Sequence, residues 1–155
     1  METSALIKKI QKEYGNVLIP ATAICERKQE VIGISPALDI ALGGGVPKGS
    51  WVTLSGAPKI GKTVTCLQLL ANCQNAGMKC YVATPEGRLK KRDLEGIHNL
   101  DLEKLYVIES IKDKILTAQD YLSIMEHILL TEDNVCMFVD SFSSLLLSKE
   151  RSEGI

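Results

Sequence analysis

The run Gly56-Ala57-Pro58-Lys59-Ile60-Gly61-Lys62-Thr63 constrains this chain more than any other feature of it. It matches G-x-x-x-x-G-K-[ST], and each fixed position has a physical reason. Glycine lets the backbone wrap so that successive N–H groups point at phosphate oxygens, and a following helix adds its positive N-terminal end. Lys62 would neutralise the β- and γ-phosphates, and Thr63 would offer its hydroxyl to Mg²⁺. By chance the pattern arises in roughly one chain in two hundred of this length. Its setting narrows it further, because the apolar run Trp51–Ser55 precedes it and an amphipathic stretch follows. The plain alternative is a glycine-rich strand-to-helix turn with a solvated lysine.

Two carboxylates go with this loop. Asp140 ends the apolar run Val135-Cys136-Met137-Phe138-Val139, where an acid can hold the same Mg²⁺. Taken alone, an Asp at a strand end is as readily a helix cap. Glu86 follows the apolar run Cys80-Tyr81-Val82-Ala83-Thr84. Carboxyl ends of parallel strands face the ligand crevice, so a glutamate there is placed to orient and deprotonate an attacking water. Spacing by itself leaves a solvated loop glutamate equally open.

The rest of the chain reads as α/β. Ser35-Pro36-Ala37-Leu38-Asp39 is a capped helix start, with Pro at the first helical position, and Gly43-Gly44-Gly45 stops it. Strands are predicted at Trp51–Ser55, Cys80–Thr84, Leu105–Ile108 and Val135–Val139. Helices are predicted from about Lys62 to Gln74 and from about Thr117 to Leu130, the latter burying Leu122, Met125 and Leu129. Alternating strand and helix predicts a mainly parallel sheet flanked by helices. Ahead of it, residues 4–14 place Leu6, Ile7, Ile10 and Tyr14 at helical spacing, with an extended Val17-Leu18-Ile19 behind. The expected organisation is a leader over residues 1–30 and a core over 31–155. The leader's apolar face is covered either by the chain's own core or by a neighbouring subunit.

Composition sets the outer bounds. The 155 residues are 45% hydrophobic, enough for a real core, and no apolar run approaches the roughly 18–20 residues of a membrane helix. With 18 basic and 19 acidic residues the net charge is -1, which excludes a uniformly basic nucleic-acid sleeve but not a local patch. The cluster Arg88, Lys90, Lys91, Arg92 is one such patch, although Glu86, Asp93 and Glu95 surround it and a solvated face explains it as well. Five cysteines without a Cys-x-x-Cys pair read as reduced core or near-core thiols, and His98 and His127 as surface residues. A soluble, cytoplasmic protein is expected.

The stretch Ile34-Ser35-Pro36-Ala37-Leu38-Asp39-Ile40-Ala41-Leu42-Gly43-Gly44-Gly45-Val46-Pro47-Lys48-Gly49 resembles the segment before the phosphate loop in the bacterial RecA recombinases. The likeness begins with Ile7–Gly15, takes in Gly56–Thr63 and Tyr81–Glu86, and reaches Phe138–Ser141. It implies a RecA-like P-loop NTPase fold whose sheet is incomplete in this chain. It further implies ATP and Mg²⁺ as cofactors, with Gly56, Ala57, Pro58, Lys59, Ile60, Gly61, Lys62, Thr63 and Val64 around the nucleotide. Glu86 and Lys62 would be catalytic, and Thr63 and Asp140 would hold the metal. Leu6, Ile7, Ile10, Val17, Leu18 and Ile19 would dock on the adjacent subunit of a filament on single-stranded DNA.

The resemblance also has gaps. Where the family places an Asp and a Tyr against adenine, Gly87–Asp93 holds no aromatic residue, which implies a looser grip on the base. Val64 replaces a hydroxyl residue that would touch the α-phosphate. The tail Glu150–Ile155 resembles the start of the first DNA-binding loop and then stops, so the chain reads as a fragment or as a reduced homologue. A DNA-dependent ATPase of the recombinase type is the leading expectation, assembling with itself or with a full-length recombinase. Two alternatives stand beside it: a non-catalytic module that modulates a recombinase filament, and a stand-alone P-loop ATPase.

Overall fold

A computed structural model describes residues 5–145, so the tail Glu150–Ile155 lies outside the described residues. The chain divides into two compact units, Met1–Glu30 and Val31–Ile155.

In the first unit, helix α1 (Ala5–Tyr14) runs where the periodicity places it. Gly15 ends it at φ +79°, a left-handed conformation that costs glycine little. Ile7 and Ile10 are half-buried, whereas Leu6, Val17, Leu18 and Ile19 are exposed. Val17–Ile19 lies in no strand. No ladder partner reaches it among the described residues, and Pro20 closes the segment by opening a second, unanticipated helix α2 (Ala21–Cys25). Cys25, read from sequence as near-core, is exposed at the end of that helix.

The second unit opens with an antiparallel ribbon, β1 (Val31–Ile32) on β2 (Val46–Pro47), which brackets helix α3 (Pro36–Leu42). Gly45 is required here: a Cβ on it would sit 2.4 Å from the Ile32 carbonyl oxygen. Asp39 Oδ1 accepts from the Ile34 N–H at 2.7 Å and ties the helix back to the ribbon.

Then come α4 (Lys62–Asn75), β3 (Lys79–Ala83), α5 (Lys91–Glu95), β4 (Leu105–Ile108), α6 (Ala118–Thr131) and β5 (Val135–Val139). The three long strands form a parallel sheet in the order β4-β3-β5, with Cys80 level with Leu105 and with Cys136. Side chains alternate across it. Cys80, Val82, Cys136 and Phe138 join Leu67, Leu70 and Cys73 of α4 in one core. On the other face Ala83, Met137 and Val139 meet Tyr121 and Met125 of α6. Thr117 caps α6 reciprocally, its N–H donating to Asp120 Oδ2 at 2.7 Å while its Oγ1 accepts from the Asp120 N–H.

Two expectations are corrected. Trp51–Ser55 is not a strand: β5 ends the sheet, no described strand pairs with these residues, and all five are exposed. An apolar run can supply β propensity, but a strand also needs a neighbour for its N–H and C=O groups. In α6, Met125 is buried as expected, but Leu122 and Leu129 are 47% and 54% exposed. The helix turns Ala118, Tyr121 and Met125 to the sheet, and that stripe leaves the leucines beside it uncovered.

Candidate functional site

The loop before α4 is built on unusual backbone. Gly56 lies at φ +155°, Lys59 at +65° and Gly61, the N-cap of α4, at +95°. A Cβ on Gly56 would fall 2.5 Å from Ile60 Cδ1, the end of an exposed side chain that can turn aside, so it is the positive φ that favours glycine there. Residues 56–61 and Val64 are exposed, and Lys62 and Thr63 are half-buried. The Lys62 ammonium folds back into the loop and donates to the Gly56 and Ala57 carbonyl oxygens at 3.0 and 2.9 Å. The loop thus presents a cation and a helix N-terminus at one spot.

One carboxylate reaches the first turn of α4 from the end of β5, and a second lies past the end of the adjacent β3. Ala83 and Val139 are level across β3 and β5, and the Asp140 N–H donates to the Ala83 carbonyl at 3.0 Å, carrying the pairing one residue further. This brings Asp140 Oδ2 within 2.8 Å of the Thr63 hydroxyl, which donates to it across 77 residues of sequence. Glu86, past the end of β3, lies beside the turn after β5. Its Oε1 accepts from Ser141 Oγ at 2.9 Å and Ser144 Oγ at 2.5 Å, and its Oε2 pairs with Arg88 Nη1 at 2.9 Å. The Ser144 and Ser141 hydroxyls, and then the Arg88 charge, hold this carboxyl below the ordinary glutamate value despite some burial. Two polar groups therefore stand side by side, Thr63 with Asp140 and, from the next residue of the backbone, Ser141 with Glu86 and Arg88.

Ser141, Ser144 and the Glu86–Arg88 pair carry no role in the sequence reading. The available signal was proximity in sequence, since Ser141 follows the strand-terminal Asp140 directly and Ser144 lies three residues further on. Arg92 and Lys91 also have acidic neighbours, Asp93 at 3.7 Å and Glu95 at 3.3 Å, which suits a solvated face. His98 and His127 are both exposed.

Among the described residues no group of three or more His, Cys, Asp or Glu side chains is placed to hold a metal. Thr63 and Asp140 offer two hard oxygen donors, which suits an ion such as Mg²⁺ that keeps several waters and shares its remaining sites with phosphate.

The structure is an α/β core with its polar site at the carboxyl ends of parallel strands. Residues 2–154 match the RecA N-terminal domain family, and the chain belongs to that family. It is 34% identical to "Protein RecA" of Laribacter hongkongensis over 56% of this chain and 25% of that protein. Against "Protein RecA" of Campylobacter jejuni subsp. jejuni (strain 81-176) the identity is 35%, over 66% of this chain and 31% of the relative. Against that of Campylobacter hominis it is 43%, over 65% and 30%. The matched segment thus spans about a third or less of these relatives' length. No helix among the described residues is long and apolar enough to cross a membrane.

Proposed function

We propose that this chain is the nucleotide-binding half of a RecA-type recombinase, a P-loop NTPase unit that binds and hydrolyses ATP with Mg²⁺. The reading is carried by the 2.8 Å bond from Thr63 to Asp140, which joins the glycine loop to the end of β5 beside Glu86. Lys62 would leave the Gly56 and Ala57 carbonyls for phosphate oxygens, and Gly56–Val64 would wrap the phosphates. Thr63 and Asp140 would hold Mg²⁺, which supplies charge neutralisation on the phosphates when bound. Glu86 would accept the proton of the attacking water, with Ser141 and Ser144 fixing the carboxylate's direction.

Within this reading, residues 1–30 form a docking arm, with Leu6, Ile7, Ile10, Val17, Leu18 and Ile19 meeting a neighbouring subunit. Residues 31–155 form the core. The partners are single-stranded DNA and further recombinase subunits, in the cytoplasm, in recombination and repair.

Nucleotide titration and steady-state turnover, with and without single-stranded DNA at low salt, test this. Lys62→Ala should weaken nucleotide binding about tenfold or more, in line with the roughly 1.5–3 kcal/mol of a hydrogen bond to a charged group. Unchanged binding would sink the assignment of the loop. Glu86→Gln should keep binding and stop turnover, and lost binding would make Glu86 structural. A second reading, a module that binds nucleotide without turnover and modulates a filament, is favoured by the Ser141, Ser144 and Arg88 contacts that occupy both oxygens of Glu86. Tight binding with no hydrolysis under any condition would select it.

A further inference from the structure

Two cations stand at the site, and each rests on protein oxygens that a phosphate can replace. The Lys62 ammonium takes the Gly56 and Ala57 carbonyls, which are neutral. The Arg88 guanidinium takes Oε2 of Glu86 at 2.9 Å, which is charged. The turn between these two residues sets the second contact. The Gly87 N–H donates to the Thr84 carbonyl at 3.1 Å, and Gly87 lies at φ +59°, a left-handed conformation that suits glycine. The chain reverses there, and Arg88 reaches back to the carboxylate two residues before it.

The two oxygens of Glu86 are held differently. Oε1 accepts from Ser141 and Ser144, which belong to the turn after β5. Those hydroxyls fix the carboxylate from the protein side. Arg88 holds it from the solvent side, for its side chain is 82% exposed against 23% for Glu86. An ion pair this open to water is weak and readily exchanged.

We propose that Arg88 senses the terminal phosphate: its guanidinium exchanges Glu86 Oε2 for the terminal phosphate of a bound nucleoside triphosphate, and that oxygen is released to water. The inference rests on the nucleotide-binding reading above. Reach permits the exchange. A water served by Glu86 lies about 2.6–3.2 Å from its oxygen, and the phosphorus facing that water about 3–3.5 Å beyond. Arg88 already touches the same carboxylate, so rotation of its exposed side chain carries the guanidinium toward the phosphate oxygens. Its planar fork of N–H donors matches phosphate as it matches carboxylate. The exchange is selective, because only a terminal third phosphate lies beside that water, and a diphosphate leaves Arg88 on Glu86. The other cations of this stretch have different partners. Lys91 pairs with Glu95 and Arg92 with Asp93, both within α5.

The test measures, by calorimetry on the full chain with Mg²⁺, the affinity for ADP and for the non-hydrolysable imido analogue of ATP. Arg88→Ala should weaken the imido analogue about fivefold or more and ADP by less than about twofold, since only the former loses a charged hydrogen bond. Arg88→Lys should recover part of the loss, because a point charge still meets phosphate. Lys91→Ala removes an equal charge from the same patch and should leave both affinities as in the wild type. Arg88 is exposed, so the thermal midpoint of its variants should match the wild type and the affinities are read on folded protein. Equal loss for both nucleotides in Arg88→Ala, no loss for either, or the same loss in Lys91→Ala overturns the proposal. Lys62→Ala separates this outcome from the wider reading, because it should weaken both nucleotides. If it weakens neither, the assignment of the loop falls and the inference falls with it; if only Arg88→Ala is silent, the loop stands and the inference alone falls.

Discussion

Helices α4 and α6 are the same length, 14 residues each, and pack on opposite faces of one sheet, yet only one of them is closed. On α4, Leu67 and Leu70 are 0% and 1% exposed, sealed by the sheet and by Leu89, Leu94, Ile97 and Leu100. On α6, Tyr121 and Met125 are buried, but Leu130 is 80% exposed. Leu122, Leu129 and Leu130 line an open apolar groove of about 380 Å³ with Trp51 and Phe142, whose rings meet edge-on at 5.6 Å. A sequence shows where a helix is apolar. Whether the same residues supply the cover depends on what lies beside the helix, and the two faces differ only in that.

The sharpest way to break this contrast is to truncate one leucine on each face and compare urea midpoints. Leu70→Ala empties a fully enclosed site and should cost about 2–5 kcal/mol, because the surrounding side chains relax only partly into the void. Thr117→Ala removes the reciprocal cap of α6 and should cost about 1 kcal/mol. Leu130→Ala should change stability by less than about 0.5 kcal/mol, since its side chain is already in water. If Leu130→Ala costs as much as Leu70→Ala, the groove is covered in solution and the two faces are alike.

Much of the sheet was legible in the sequence. Val135–Val139 and Leu105–Ile108 have the same bounds in both, because each is a short apolar run between turn residues and each finds a partner in β3. Trp51–Ser55, with Trp51, Val52 and Leu54 among its five residues, also has strand propensity and is no strand, since a ladder is a property of two segments and a sequence window contains one. In the candidate site, the glycine loop stood out by its spacing, Asp140 only in company with that loop, and Glu86 only through the family resemblance. The short-range network on Glu86 could not. Ser141 and Ser144 reach it from 55 and 58 residues away, at a turn whose conformation no periodicity encodes. Arg88 stood in a run of basic residues with nothing to separate it from Lys90 or Lys91.

The smallest effect expected belongs to that network, between the end of β3 and the turn after β5. Glu86 has a folded-state pKa lowered by Ser144, Ser141 and Arg88, so its carboxylate binds protons less readily folded than unfolded. Its contribution to stability is therefore complete above the unfolded glutamate pKa and is lost as pH falls through the lower, folded value. The loss lies on the acid side of the ordinary carboxylate range, and near neutrality the contribution is constant. Urea midpoints measured from neutral to acidic pH should fall less steeply in Glu86→Gln than in the wild type, because the variant has no charge to lose at this position. Ser144→Ala should give an intermediate slope, since one hydroxyl and the guanidinium remain on the carboxylate. Parallel acid limbs in all three proteins would mean that water replaces the serines and Arg88 in solution. The polar site would then be as open as the groove beside α6, and the closed region of the molecule would stop at the hydrophobic core beneath α4.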